Sequence, residues 1–176
     1  MPGTLQVGGN TVITHTGDAG AGTNTINSSV VFPAGHILQI QRGSRDNAGI
    51  SISSATYVDT VTKAITTVGA NSTILAIYDG QVWINGPTNA YTRTILNRTG
   101  GASGDGDIVP ESAVRQLSAQ SVTANSVHTF GQTYAHIDSP AVAAGTTITY
   151  KVKQNSGTES VIVGSNCSLV LFEIAA

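Results

Sequence analysis

Four histidines (His15, His36, His128 and His136), seven aspartates and three glutamates are the residues of this chain able to ligate a metal or move a proton. Their spacing fits none of the patterns that such chemistry uses. The sequence has no Gly-x-Ser-x-Gly elbow, no His-Glu-x-x-His, no Cys-x-x-Cys, no Walker loop and no Gly-x-Gly-x-x-Gly opening a helix. His136-Ile137-Asp138 comes nearest, because residues two apart on an extended segment point the same way and would hold a cation or orient an imidazole. The preferred reading is plainer: Asp138-Ser139-Pro140 forms an Asx-turn that closes a strand, and His136 is a surface or interface residue. Gly104-Asp105-Gly106-Asp107 is similarly short of a calcium loop, which needs five or more oxygen ligands ending in a bidentate Glu. Glu111, Glu159 and Glu173 fall with the aspartates in turns or at strand ends, with no convergent carboxylate pair of the kind that cleaves glycosides. No catalytic, cofactor-binding or metal-ligating residue is assigned, and an enzyme is not expected.

Rings are the other chemical resource. Tyr57, Tyr78, Trp83, Tyr91 and Tyr134 would suit a sugar platform, since an amphipathic ring stacks on a pyranose face while its polar tip hydrogen-bonds. Aromatics make up only 5% of the chain, so most are required inside. Trp83, beside Gln81 and just before Asn85-Gly86-Pro87, is the candidate for surface ligand contact, with core or subunit interface as the preferred alternative. Cys167, the single cysteine, is expected to be a structural thiol.

The elements that would position these residues read as strands. Ile148, Tyr150 and Val152 alternate with Thr149, Lys151 and Lys153, the period of a half-buried strand. The same reading gives Gly35 to Arg42, with Leu38 and Ile40 inward, Ile50 to Tyr57, Thr62 to Thr67, Thr73 to Trp83, Tyr91 to Arg98 and Val127 to Ala135. Glu159 to Val163 and Cys167 to Ile174 close the series. Turn formers separate them at Gly69-Ala70-Asn71, Asp79-Gly80, Asn85-Gly86-Pro87 and Asn155-Ser156-Gly157. One short helix is predicted, Pro110 to Leu117. Many short strands without an intervening helical pattern predict an all-β fold: a jelly-roll-like antiparallel β-sandwich preceded by an extended N-terminal arm.

The 176 residues, 18.0 kDa, suffice for one core. Charged residues are only 10% of the chain, where about 25% is usual, and Ser, Thr, Gly and Asn supply polarity instead. A net charge of −2 offers no cationic footprint for nucleic acid or an anionic membrane. The apolar runs Ile74 to Tyr78 and Leu169 to Phe172 are far below the roughly 20 residues of a membrane helix. No secretory signal is expected in the first ten residues. Residues 1–31 are rich in Gly, Thr, Asn and Ser, with single apolar side chains too sparse for a core. They are expected to be an attachment arm that docks through Leu5, Val7, Val12, Ile13 and Ile26, leaving 32–176 as the head domain. Thr99 to Asp107 is expected to be a flexible surface excursion.

From Val31-Phe32-Pro33-Ala34-Gly35-His36-Ile37-Leu38-Gln39-Ile40 onward the chain resembles a family of small virion proteins of tailed bacteriophages. The resemblance continues through Tyr57-Val58-Asp59-Thr60, Arg98-Thr99-Gly100-Gly101, Ile137-Asp138-Ser139-Pro140, Thr149-Tyr150-Lys151-Val152 and Leu169 to Ala175. It spans residues 31–176 and fails to align over Gly100 to Asn125. It implies a β-sandwich head, usually a homotrimer, displayed on the outer surface of a capsid or tail after synthesis in the host cytoplasm. Its role would be that of a capsid decoration (cement) protein bound to the major capsid protein or another virion protein. The alternative is a tail-fibre or head-fibre module that reads host surface glycan. No catalytic residue, cofactor or metal is carried over with the family.

Overall fold

The computed structural model describes residues 3–7, 10–17, 23–26, 33–45, 49–85, 90–102, 104–109, 115–119, 127–156 and 161–176. Thirteen strands occur among them and no helix. The chain divides into two units, Met1–Pro33 and Ala34–Ala176.

In the first unit, β1 (Gly3–Val7), β2 (Asn10–Thr16) and β3 (Thr23–Ile26) form an antiparallel sheet in the order β1-β2-β3. This replaces the extended arm expected from composition. Single apolar residues spaced along a polar chain are enough to form a row when the strands fold back: Leu5 stands opposite Ile13, and Ile13 opposite Ile26. A bulge between Leu5 and Gln6 shifts the register beyond that row.

The second unit is all antiparallel. Its strands are β4 (Ile37–Arg45), β5 (Ile50–Ile52), β6 (Val58–Thr66), β7 (Thr73–Asn85), β8 (Ala90–Thr99), β9 (Gly106–Val109), β10 (Arg115–Ala119), β11 (Val127–Asp138), β12 (Thr147–Ser156) and β13 (Val161–Ile174). One sheet has the order β11-β7-β13-β4, with β5 also on β13. The other has the order β10-β8-β12-β6, with β9 also on β8. Setting aside the short β5 and β9, the first principal strand pairs with the last, the second with the seventh, the third with the last and the sixth, and the fourth with the fifth and seventh. That nesting of outer strands around inner ones is a jelly roll.

Alternation builds the core as the β-branched composition requires. Ile74, Ala76, Tyr78, Val82 and Ile84 of β7 are buried, as are Ile148, Tyr150 and Val152 of β12 and Leu169 and Leu171 of β13. Each Val, Leu or Ile among them contributes about 1.5–3 kcal/mol by leaving water. Two apolar clusters result. The larger runs from Val61 and Ile65 through Tyr78, Leu96, Tyr150 and Leu171; the smaller joins Ile52, Val82 and Ile84. At the level of Gly80, between Tyr78 and Val82, lies a polar layer. There Gln154 donates to Thr94 Oγ1 (2.9 Å) and Gln132 Oε1 (3.0 Å), and Thr94 donates to Gln132 Oε1 (2.9 Å). Gln132 belongs to one sheet and the other two residues to its partner, so the layer joins the sheets and fixes their offset.

Several local expectations fail for identifiable reasons. Asp79-Gly80 is no turn but the middle of a 13-residue strand. Glycine stands there because the Tyr78 side chain folds over it: a Cβ at Gly80 would collide with the Tyr78 hydroxyl and lie 2.8 Å from Cys167 Cβ. Asn155 and Ser156 are buried strand residues, not turn formers. Arg115, Gln116 and Leu117 begin β10 instead of ending a helix, since pairing along β8 overrides a weak local preference; Pro110 to Val114 lie outside the described residues. The strand predicted over Ile50 to Tyr57 stops at Ile52. The two closing strands are one, β13, bent by register shifts between Val163 and Ser168. Ile40 is exposed rather than inward. A bulge opposite Glu173 and Ile174 skips Leu38 in the pairing, so Gln39 and Gln41 turn inward and Ile40 turns out.

Glu173 explains that bulge. Its carboxylate, fully buried, accepts hydrogen bonds from the backbone N–H of Val68 (2.8 and 2.9 Å) and Gly69 (2.8 Å) and from Gln39 Nε2 (2.6 Å). One side chain thereby ties the final strand to the β6–β7 turn and to β4. Replacing Gly80 by Ala is expected to destabilise the domain by about 1–3 kcal/mol through overpacking against Tyr78 and Cys167, measured as a lowered urea midpoint with an unchanged slope.

Candidate functional site: the outer sheet faces

His136 and Asp138 share one side of β11, as the spacing suggested, but that side faces inward: His136 is half-buried where a surface residue was expected, and Asp138 is neither exposed nor an Asx-turn cap to solvent. Its oxygens, buried in the sandwich, each accept a hydrogen bond from Arg98 Nη1 at 2.8 Å, and Oδ2 also accepts one from Tyr150 Oη at 2.7 Å. Arg98 Nη2 donates to the Gly104 carbonyl at 3.3 Å. Gly101 covers the guanidinium so closely that a Cβ there would lie 2.6 Å from Arg98 Cζ. Arg98 and Tyr150 come from one sheet and Asp138 from the other, so this is an inter-sheet brace. No grouping of three or more His, Cys, Asp or Glu suited to a metal occurs among the described residues.

The brace also pins the excursion that follows Arg98. Asp105 Oδ1 accepts the Gly100 N–H at 2.7 Å, Ala102 N–H reaches the Pro140 carbonyl at 3.1 Å, and Gly106 and Asp107 already belong to β9. Local composition reads Thr99 to Asp107 as flexible, whereas these hydrogen bonds, most of them local and one reaching Pro140, hold its described residues in place.

Beyond these interior contacts lie the outer faces, and the two sheets differ. Among the described outward positions of the β10-β8-β12-β6 sheet polar groups predominate, many of them paired, with Ile95, itself buried, and Ala64 as the apolar exceptions. Lys151 Nζ meets Asp59 at 2.9 Å, Asn97 donates to Asp107 at 2.8 Å, Thr66 and Thr147 share a hydrogen bond of 2.9 Å, and Arg93 lies 5.0 Å over the Tyr91 ring. That is an ordinary solvated face.

On the β11-β7-β13-β4 sheet the outward positions line up in rows, and two successive rows are largely apolar. Ile137, Leu75, Phe172 and Ile40 stand side by side across all four strands. The next row holds Ala135, Ile77, Val170 and Arg42, and the one after it Thr133, Asp79, Ser168 and Ser44, where Thr133 Oγ1 donates to Asp79 at 2.6 Å. Ile137 is 67% and Ile40 54% exposed at the two ends of the first row, with Leu75 and Phe172 half-buried between them. Trp83, the ring singled out from sequence, lies on this same outward side, half-buried and opposite Thr129. The sequence reading missed the row itself. Its signal was present in the uninterrupted runs Ile74 to Tyr78 and Leu169 to Phe172, where a strand with one solvated face would alternate.

The five residues assigned to attachment all belong to the first unit. Leu5, Ile13 and Ile26 are brought together as cross-strand neighbours, Leu5 being 55% exposed; Val7 pairs with Asn10, and Val12 lies in β2.

No family model matches this chain, and no curated protein matches it. Among solved structures it is similar to the Eiger TNF of S. frugiperda, with a TM-score of 0.43 and 11% identity over 78% of this chain and 93% of the other. Infectious bursal disease virus, Gx strain, gives 0.43 and 12% over 89% of this chain. The VP2 subviral particle of the same virus gives 0.43 and 11% over 88%. The chain spans about a third of the length of these viral chains, 36% and 35%. Scores of this size fall short of a shared fold, and the architecture stated above rests on the strand order alone.

Two outcomes follow from the interior. Asp138→Ala leaves the Arg98 guanidinium buried without its counter-charge and is expected to cost about 3–5 kcal/mol, while Tyr150→Phe costs about 1 kcal/mol; urea denaturation of both variants distinguishes them. Burial holds the hydroxyls of Tyr78, Tyr134 and Tyr150 well above the usual phenol range, with the hydrogen bond to Asp138 adding to Tyr150. Because the folded state keeps these protons longer than the unfolded chain, their contribution is complete below about pH 10 and is lost as pH rises past it. Each contributes a slope of about 1.4 kcal/mol per pH unit. Stability measured from pH 8 to 11.5 should be flat and then fall, with part of the tyrosinate absorbance at 295 nm appearing only on unfolding.

Proposed function

We propose that this chain is a structural bacteriophage virion protein: a homotrimeric capsid decoration protein that attaches through its N-terminal segment, residues 1–31, and stabilises the particle. The observation that carries the reading is a charge-poor jelly roll with one solvated outer face and one apolar outer face, a subunit built to be packed against neighbours. A cyclic assembly also protects edge strands that would otherwise pair without limit. The resemblance of residues 31–176 to small virion proteins of tailed bacteriophages agrees with it, and supplies the major capsid protein as the expected partner. The row Leu5, Ile13 and Ile26 gives the N-terminal segment a short apolar contact strip for that partner.

A fibre-head module that reads host glycan is the second reading, favoured by Trp83 lying on an outward face. Copy number separates the two: hundreds of copies over a capsid lattice mean decoration, a few at a tail or head fibre mean adhesion. Deleting residues 1–31 is expected to leave an oligomeric head domain whose occupancy on particles, counted by electron microscopy, falls at least about tenfold. Full occupancy by the truncated chain would refute attachment through that segment.

A further inference from the structure

We infer that the outer face of the β11-β7-β13-β4 sheet is an interface covered by a second copy of this chain, with the row Ile137, Leu75, Phe172 and Ile40 and the row behind it, Ala135, Ile77, Val170 and Arg42, as its apolar part. The inference deepens the self-assembly part of the proposal above and is independent of where the assembly is displayed.

The occupant is chosen by shape, charge and area. Every interior strand of this sheet is hydrogen-bonded on both sides, so a partner meets side chains and not unpaired backbone; it must dock face to face, as sheets do at about 10 Å. The rows run in register from strand to strand, and in the two apolar rows Arg42 is the single polar side chain, too few polar groups for a glycan site. Among the described outward positions, the charged residues are Asp79 and Arg42, opposite in sign and one row apart. The face is therefore neutral and can meet the same face of further copies around a three-fold axis, one copy's Arg42 beside another's Asp79, whereas a strongly charged partner gains nothing. Four strands at ~4.8 Å spacing and the ~27 Å from Ile137 to Thr129 give roughly 500 Å² in projection. Side-chain relief brings that toward the ~800 Å² each partner contributes to a stable interface. A homomeric interface core is also where charge depletion is strongest, in keeping with a chain of 10% charged residues.

The test uses the full-length protein in analytical ultracentrifugation at micromolar concentration, with far-UV circular dichroism to monitor folding. The wild type is expected to sediment as a multiple of its 18.0 kDa protomer. Ile137→Lys and, separately, Ile40→Lys are both expected to weaken association by about thirtyfold or more while keeping the β spectrum, because both positions are exposed in the single subunit. Thr149→Lys, on the solvated outer face of the other sheet, should leave the assembly intact. A wild-type oligomer that survives both Lys variants overturns this face as the interface and leaves self-assembly standing. A monomeric wild type overturns both, and a monomer that floats with phosphatidylcholine vesicles assigns the face to lipid instead.

Discussion

Over Ile74 to Tyr78 and Leu169 to Phe172 the two adjacent central strands, β7 and β13, are apolar on both of their faces, and the organisation of the head domain follows from that constraint. A strand paired on both sides exposes nothing but side chains, so its two faces must each find a cover. The inward set, Ile74, Ala76, Tyr78, Leu169 and Leu171, meets the opposite sheet and makes the core. The outward set, Leu75, Ile77, Val170 and Phe172, lines up with Ile137 and Ile40 on the flanking strands and meets nothing within the subunit's sandwich. The second sheet presents mostly polar groups outward: Lys151 meets Asp59, Asn97 meets Asp107 and Thr147 meets Thr66. Asymmetry between the sheets, rather than any cluster of reactive groups, is what gives this molecule a side for solvent and a side for a neighbour.

Apolar burial alone does not decide how two sheets are offset, since greasy surfaces slide. Here the offset is set by polar groups that lose heavily if they are not met. Asp138 must find Arg98 and Tyr150, Gln132 must find Thr94 and Gln154, and Glu173 must find the amides of the β6–β7 turn. Each contact joins segments far apart in the chain and tolerates little displacement. Glycines at 80 and 101 supply room for Tyr78 of the core and Arg98 of the inter-sheet brace.

Much of the strand content was legible because period-two alternation is a local property of a pleated chain. Ile148, Tyr150 and Val152 are buried as a set, and the turn at Gly69 to Asn71 separates β6 from β7, with Asn71 in a left-handed conformation. The failures share a cause. Asp79-Gly80 and Asn155-Ser156 have the composition of turns, yet partners brought from elsewhere in the chain keep them extended. The carboxylates of Asp138 and Glu173 sit at strand ends, where local reasoning places them in solvent, and the folded chain buries them against groups about 40 and 105 residues away.

What the sequence determined by itself is the class: scarcity of charge, β-branched alternation and regular punctuation leave an antiparallel sandwich as the way to bury enough surface. What the tertiary structure decided is which residues become neighbours. The row Ile137, Leu75, Phe172 and Ile40 draws one residue from each of four strands spread over more than a hundred positions, and it exists only through the register of those strands. Register depends on a bulge at Glu173 and on pairings between distant segments. No local pattern encodes it, because each side chain's facing is fixed by hydrogen bonds to another part of the chain.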